Sequence, residues 1–117
     1  MEFDHTNLPI ETDYPKLVRD NIPKIIKKNE GIAIKTIILD SDAEFLEYLL
    51  KKFIEEATEL IHSKNTEDIM KEMADIFELT DTILKLKGKT LKDVSAVQNE
   101  KRKKNGGFEK RILMLGK

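Results

Sequence analysis

The feature that most constrains this chain is a pair of long, adjacent segments that share the helical period. Across residues 46–61, apolar side chains fall at Leu46, Leu49, Leu50, Phe53, Ala57, Leu60 and Ile61. Across residues 73–86 two stripes run side by side, one of Ile76, Leu79, Ile83 and Leu86, the other of Met73, Phe77, Thr80 and Leu84. Spacings of i, i+3 and i+4 gather each set on one face of an α-helix. The polar stretch Ser63-Lys64-Asn65-Thr66 breaks the pattern between them, which makes the two helices consecutive and antiparallel. Ser41 or Asp42 is placed to cap the first, and Gly88 stops the second.

Shorter elements surround this pair. Leu17, Val18, Ile22, Ile25 and Ile26 predict a helix within residues 17–29, with its true start near residues 20–22 because Pro23 suits a first turn. Gly31 ends it, and the β-branched run at residues 32–39 (IAIKTIIL) predicts a strand. Thr90-x-x-Asp93 resembles a capping box and opens a fourth helix to about residue 104, ended by Gly106-Gly107. Residues 108–115 alternate in places and could pair with the 32–39 strand, with Phe108 read as an anchor for the tail in preference to a platform for a base. Residues 1–14, which include His5 and Pro9, read as an extension, and residues 15–117 as one domain. The expected fold class is all-α: an antiparallel bundle of about four helices with at most a small two-stranded β element.

Composition narrows the function. Apolar residues make up 39% and charged residues 37%, so the apolar ones must be concentrated on element faces. A net charge of -1 gives no reason to invoke a nucleic-acid polymer or a membrane surface. Cysteine is absent, which removes disulfides, thiolate zinc sites and a cysteine nucleophile and fits a reducing compartment. No apolar run approaches the roughly 20 residues of a membrane span, so a cytoplasmic location is expected.

The chemistry is concentrated in the acids of the two long helices. On a wheel of about 100° per residue, Leu46, Leu49, Ala57 and Leu60 lie within about 40° of Phe53. Glu56 lies about 60° to one side, Glu59 about 120° to the same side, and Glu55 nearly opposite the core, where solvent is expected. On the next helix Glu72 falls inside one apolar stripe and Asp75 at its edge. An ionised carboxylate buried alone costs several kcal/mol, so such a group is paired, protonated or metal-bound. A salt bridge to Lys52 or Lys71 is one reading. Two acidic pairs at i, i+3 on consecutive helices favour another, in which Glu56, Glu59, Glu72 and Asp75 converge and a cation joins them. Oxygen-only ligation suits magnesium or manganese, both of which also bind phosphates. Glu59-x-x-His62 is half of a di-iron carboxylate motif, but such sites need two copies and further Glu-bearing helices. His62 otherwise reads as a helix-end residue.

The string Phe53-Ile54-Glu55-Glu56-Ala57-Thr58-Glu59-Leu60, followed by Glu72-Met73-Ala74-Asp75-Ile76, resembles the Glu-x-x-Glu…Glu-x-x-Asp signature of the all-α nucleoside triphosphate pyrophosphohydrolases. That superfamily includes the MazG-like proteins and the phosphoribosyl-ATP pyrophosphohydrolases. Lys16-Leu17-Val18-Arg19-Asp20-Asn21-Ile22-Pro23 and Asn105-Gly106-Gly107-Phe108-Glu109-Lys110-Arg111 are similar to flanking motifs of one of its branches. The resemblance implies an all-α fold, a homo-oligomer (dimer or tetramer) whose subunits complete a bundle, and Mg²⁺-dependent release of pyrophosphate from a nucleotide. It gives Glu56, Glu59, Glu72 and Asp75 the metal-ligand roles. Arg19, Lys103, Lys104, Gly106 and Gly107 are the candidates for holding substrate phosphates, and Glu59 is a candidate to activate water. Asn105 departs from the pattern, where a basic residue often precedes the glycine pair. The expected activity is hydrolysis of aberrant or surplus nucleoside triphosphates. Phosphoribosyl-ATP hydrolysis on the way to histidine, and a non-catalytic helical interaction module, are the alternatives.

Overall fold

A computed structural model describes residues 14–117; the expected extension therefore lies, apart from Tyr14, outside the described residues. Four helices make up the described chain: α1 (Ile22–Glu30), α2 (Asp42–Ile61), α3 (Thr66–Leu86) and α4 (Leu91–Asn105). Each starts and stops where local chemistry demands. In α1 a proline occupies the first turn, and Gly31 closes the helix at φ 68°, a left-handed conformation that costs glycine nothing. Ser41 caps α2 by accepting from the Glu44 N–H at 3.3 Å, and Asn65 caps α3 by accepting from Asp68 at 2.8 Å. The capping box of α4 is reciprocal: Thr90 Oγ1 accepts from the Asp93 N–H, and Asp93 Oδ2 accepts from the Thr90 N–H at 2.9 Å.

Helices α2 and α3 form the antiparallel hairpin that the two stripes require, and this hairpin carries the principal helix–helix contact of the chain. Leu49 and Leu79 are its buried apolar residues. Thr80 sits in an apolar stripe without penalty because its hydroxyl donates to the Ile76 carbonyl at 2.8 Å. Helix α1 and the segment before it lie against the hairpin, where Leu17, Val18, Ile22 and Ile25 face Phe45, Leu49 and Leu79 across a cavity. Helix α4 touches α3 lightly and buries no residue.

Two expectations fail here. Neither residues 32–39 nor residues 108–115 form a strand, and there is no strand among the described residues. Strand propensity is satisfied only by a partner edge, and the two segments do not cover each other: Ile37 and Ile38 are 82% and 91% exposed, Leu113 and Leu115 75% and 88%. Phe108, read as an anchor, is almost fully exposed and anchors nothing within its own chain. The single chain is also too open for a closed domain. Its radius of gyration is 17.7 Å, against about 13 Å for a compact domain of about 100 residues. The other face of the hairpin, with Leu50, Ile54, Met70, Met73 and Phe77, is bare.

Candidate functional site

The hairpin brings three of the four predicted acids to one point. Ligand oxygens of Glu56, Glu59 and Glu72 all lie within 4.8 Å of one another. Glu56 is buried at 5% exposure, while Glu59 and Glu72 are half-buried. The cause is the i, i+3 spacing on α2 set against a facing turn of α3. Glu56 is divided between two environments. Its Oε1 lies 3.8 Å from Lys52 Nζ, whereas its Oε2 is sealed from solvent with no hydrogen-bond donor. Glu72 Oε2 is sealed in the same way.

Two sealed carboxylate oxygens facing a third acid cannot all stay ionised without a cation. Burial is the first cause that pushes the Glu56 carboxyl up, from its ordinary 4.5 to about 9; a hydrogen bond with Glu72 and the charges of Glu59 and Asp75 add to it. Burial likewise raises Glu72, with the Glu59 and Asp75 charges acting in the same direction. Once Glu56 holds a proton it can donate to Glu72, which reconciles the pairing with two oxygens that have no donor when ionised. A proton or a metal ion therefore completes the cluster.

Asp75 does not join the three. Its Oδ1 accepts from Arg19 Nη2 at 2.6 Å, an ion pair linking α3 to the segment before α1. Arg19 and Asp75 thus neutralise each other in this state. Both line a cavity of about 530 Å³ with Asn21, Lys52, Glu56, Glu78 and Thr82, over the apolar floor formed by α1 and the hairpin. The other predicted substrate contacts lie elsewhere: Lys103, Lys104, Gly106 and Gly107 are exposed at the end of α4, and none lines this cavity. Gly106 holds φ 83° as it turns the chain out of the helix.

Two neighbours alter the reading of the acids. Glu55, expected in solvent, is buried at 6% exposure. A wheel drawn on one core misses the second cover, in which Tyr14, Pro15, Lys16 and Leu17 lie across Tyr48, Lys51, Lys52 and Glu55 on the back of α2. Lys52, three residues from Glu55 and four from Glu56, bridges both, at 3.2 and 3.8 Å. That spacing was the available signal for Lys52 as counter-ion, and Lys71 makes no ion pair among the described residues. His62 sits apart from the cluster. Its Nδ1 lies 2.8 Å from the Thr58 carbonyl, the bond of a helix-end histidine in the Nδ1–H tautomer.

Fold and site together define a class: an all-α helical protein with a partly buried three-carboxylate cluster beside a half-apolar cavity. Set against protein-family models, curated proteins and solved structures, the chain matches none. No helix of the described residues is long and apolar enough to cross a membrane.

Proposed function

We propose that the chain is a Mg²⁺-dependent nucleotide pyrophosphohydrolase that splits a nucleoside triphosphate into the monophosphate and pyrophosphate. The observation that carries the reading is the pair of sealed, donorless oxygens on Glu56 and Glu72 within a cluster that includes Glu59. Their chemistry fits a hard divalent cation: all donors are carboxylate oxygens, and a bound ion relieves their repulsion. Glu56, Glu59 and Glu72 would hold the ion, with Asp75 available once Arg19 leaves it. A divalent ion held by these residues would supply charge neutralisation for phosphate oxygens and would make water a better nucleophile.

The rest is done by the chain's own residues. Glu59, less buried than Glu56, accepts the proton of the attacking water. Arg19 and Lys52 line the cavity, each paired with an acid, and would bring positive charge to a polyphosphate on exchanging that partner for it. The apolar floor receives the nucleoside and keeps water off the reacting phosphate. The substrates we propose are surplus or aberrant nucleoside triphosphates.

The bare hairpin face supports a homo-oligomer. Leu50, Ile54, Met70, Met73 and Phe77 are each at least 36% exposed, and a second hairpin laid on them completes a four-helix bundle. A pyrophosphate-release screen over ribo-, deoxy-, oxidised and phosphoribosyl nucleotides, run with and without Mg²⁺, tests the activity. Calorimetric titration with Mg²⁺ and Mn²⁺ tests the site. Turnover of at least one substrate that stops on chelation is expected; no turnover together with no metal binding rejects the reading.

A further inference from the structure

We propose that residues 108–117 form an arm that docks on residues 32–39 of a second copy of this chain, as an exchanged pair of β-strands. It shares the second copy with the functional reading above and none of its chemistry. Residues 108–110 make a turn and Arg111 has a left-handed φ of 57°; beyond it residues 112–117, like residues 32–39, have no regular secondary structure, are rich in strand-forming side chains and pair with no strand among the described residues. Ile112, Leu113, Met114 and Leu115 are 72–88% exposed in succession, and Ile37 and Ile38 are more than 80% exposed. Neither segment shields the other within one chain, so each keeps both an apolar face and a free backbone edge.

The arm leaves α4 along a defined path. The Gly106 N–H donates to the Arg102 carbonyl at 2.8 Å, and Arg102 Nη2 donates to Glu109 Oε1 at 2.6 Å. The Arg111 N–H then donates to the Phe108 carbonyl at 3.1 Å. These bonds tie the root of the arm to a helix that buries nothing, and the apolar residues beyond it stay exposed.

Charge selects the occupant. The arm carries Lys110, Arg111 and Lys117 against Glu109 alone, and Glu109 is already bridged to Arg102. Residues 32–39 themselves carry Lys35 alone, but acids flank both ends, Glu30 before them and Asp40, Asp42 and Glu44 after them. No ion pair among the described residues engages any of the arm's three cations or the four acids. Each chain thus contains both halves of a complementary contact. A two-fold exchange makes that contact twice, pairs the free strand edges and covers the apolar run.

The chain has no cysteine, which makes the test clean. A tagged Ile37→Cys chain is mixed with an untagged Leu113→Cys chain, then oxidised or bridged with a short bis-maleimide. Only contact between two chains can join these residues. The expected product is the mixed conjugate, formed well above a control that pairs Ile37→Cys with Lys64→Cys on the α2–α3 turn. In parallel, Ile112→Lys/Leu113→Lys, at positions that bury little in the single chain, weakens self-association in sedimentation equilibrium by at least about tenfold. No mixed conjugate above the control, or an unchanged association constant, overturns the arm. If pyrophosphate release persists in that case, the arm alone has failed. If turnover and metal binding are absent while the conjugate forms, the activity alone has failed.

Discussion

The interior of the α2–α3 hairpin and the outer region from α4 to the chain's end carry similar densities of charge but use it in opposite ways. Inside, Glu56 and Glu72 are held against each other by helix geometry, and the nearest cation, Lys52, reaches only one side of Glu56. The cluster is an unbalanced charge kept by packing, which is what a cation-binding site requires. Outside, Lys101, Arg102, Lys103 and Lys104 end a helix in solvent, where the helix dipole accounts for their sign and water for their cost. Charge at a helix end is local chemistry, whereas charge sealed between helices needs a partner brought from elsewhere. The first calls for a structural explanation, and the second for a functional one.

The comparison breaks first at Leu49, the most deeply buried side chain. Leu49→Ala should cost about 2–5 kcal/mol, since the hairpin has little else with which to fill the cavity. Urea unfolding followed by circular dichroism reads it. A loss under about 1 kcal/mol would mean that the single chain's hairpin is not the stabilising core.

Next comes the cluster itself. Glu56→Gln should lower Mg²⁺ affinity and pyrophosphate release by more than about a hundredfold. The same substitution should raise metal-free stability near neutral pH, because an amide is neutral in the sealed site without having to take up a proton on folding. The pH dependence sharpens this. The folded Glu56 carboxyl titrates at about 9 against its ordinary 4.5, so between those values the folded chain keeps a proton that the unfolded chain has lost. Its stabilising contribution is complete below about 4.5 and disappears as pH rises toward about 9. Metal-free thermal midpoints should therefore fall across that range, and both Glu56→Gln and added Mg²⁺ should flatten the slope. A wild-type midpoint that rises with pH over the same interval contradicts the buried pair.

The outer region should respond more weakly. Thr90→Ala removes half of the capping box and should cost about 1 kcal/mol. Hydrogen exchange should show it as fraying confined to the start of α4, with protection in α2 and α3 unchanged. Smaller still is Arg19→Gln: an ion pair this exposed contributes about 0–1 kcal/mol to folding. Its larger consequence should appear in binding, as looser nucleotide affinity at unchanged helical content. A thermal shift as large as that of Leu49→Ala would make Arg19 a structural residue.

Much of this was legible in the sequence because it depends on neighbours. The helices follow from apolar spacing and from Ser41, Asn65, Thr90 and Gly31, each acting on residues within four positions of itself. The convergence of Glu56, Glu59 and Glu72 follows from i, i+3 spacing on two helices joined by a short turn. Glu55 could not be placed in this way. Its burial depends on residues 14–17 returning across α2 from more than thirty positions away. Residues 32–39 read correctly as strand-forming in propensity, yet no strand appears, because a strand is completed by an edge that propensity does not supply.

The sequence alone determined the helical class, the order and limits of the four helices, and the acids that must answer for lying on apolar faces. These are consequences of period and capping, which act over one or two turns. Only the tertiary structure decided that Asp75 belongs to Arg19 rather than to the cluster, that Glu55 is covered, and that Phe108 and the tail stand free. Those outcomes depend on which distant segments meet, and that is settled by the packing of whole faces rather than by the residues beside them.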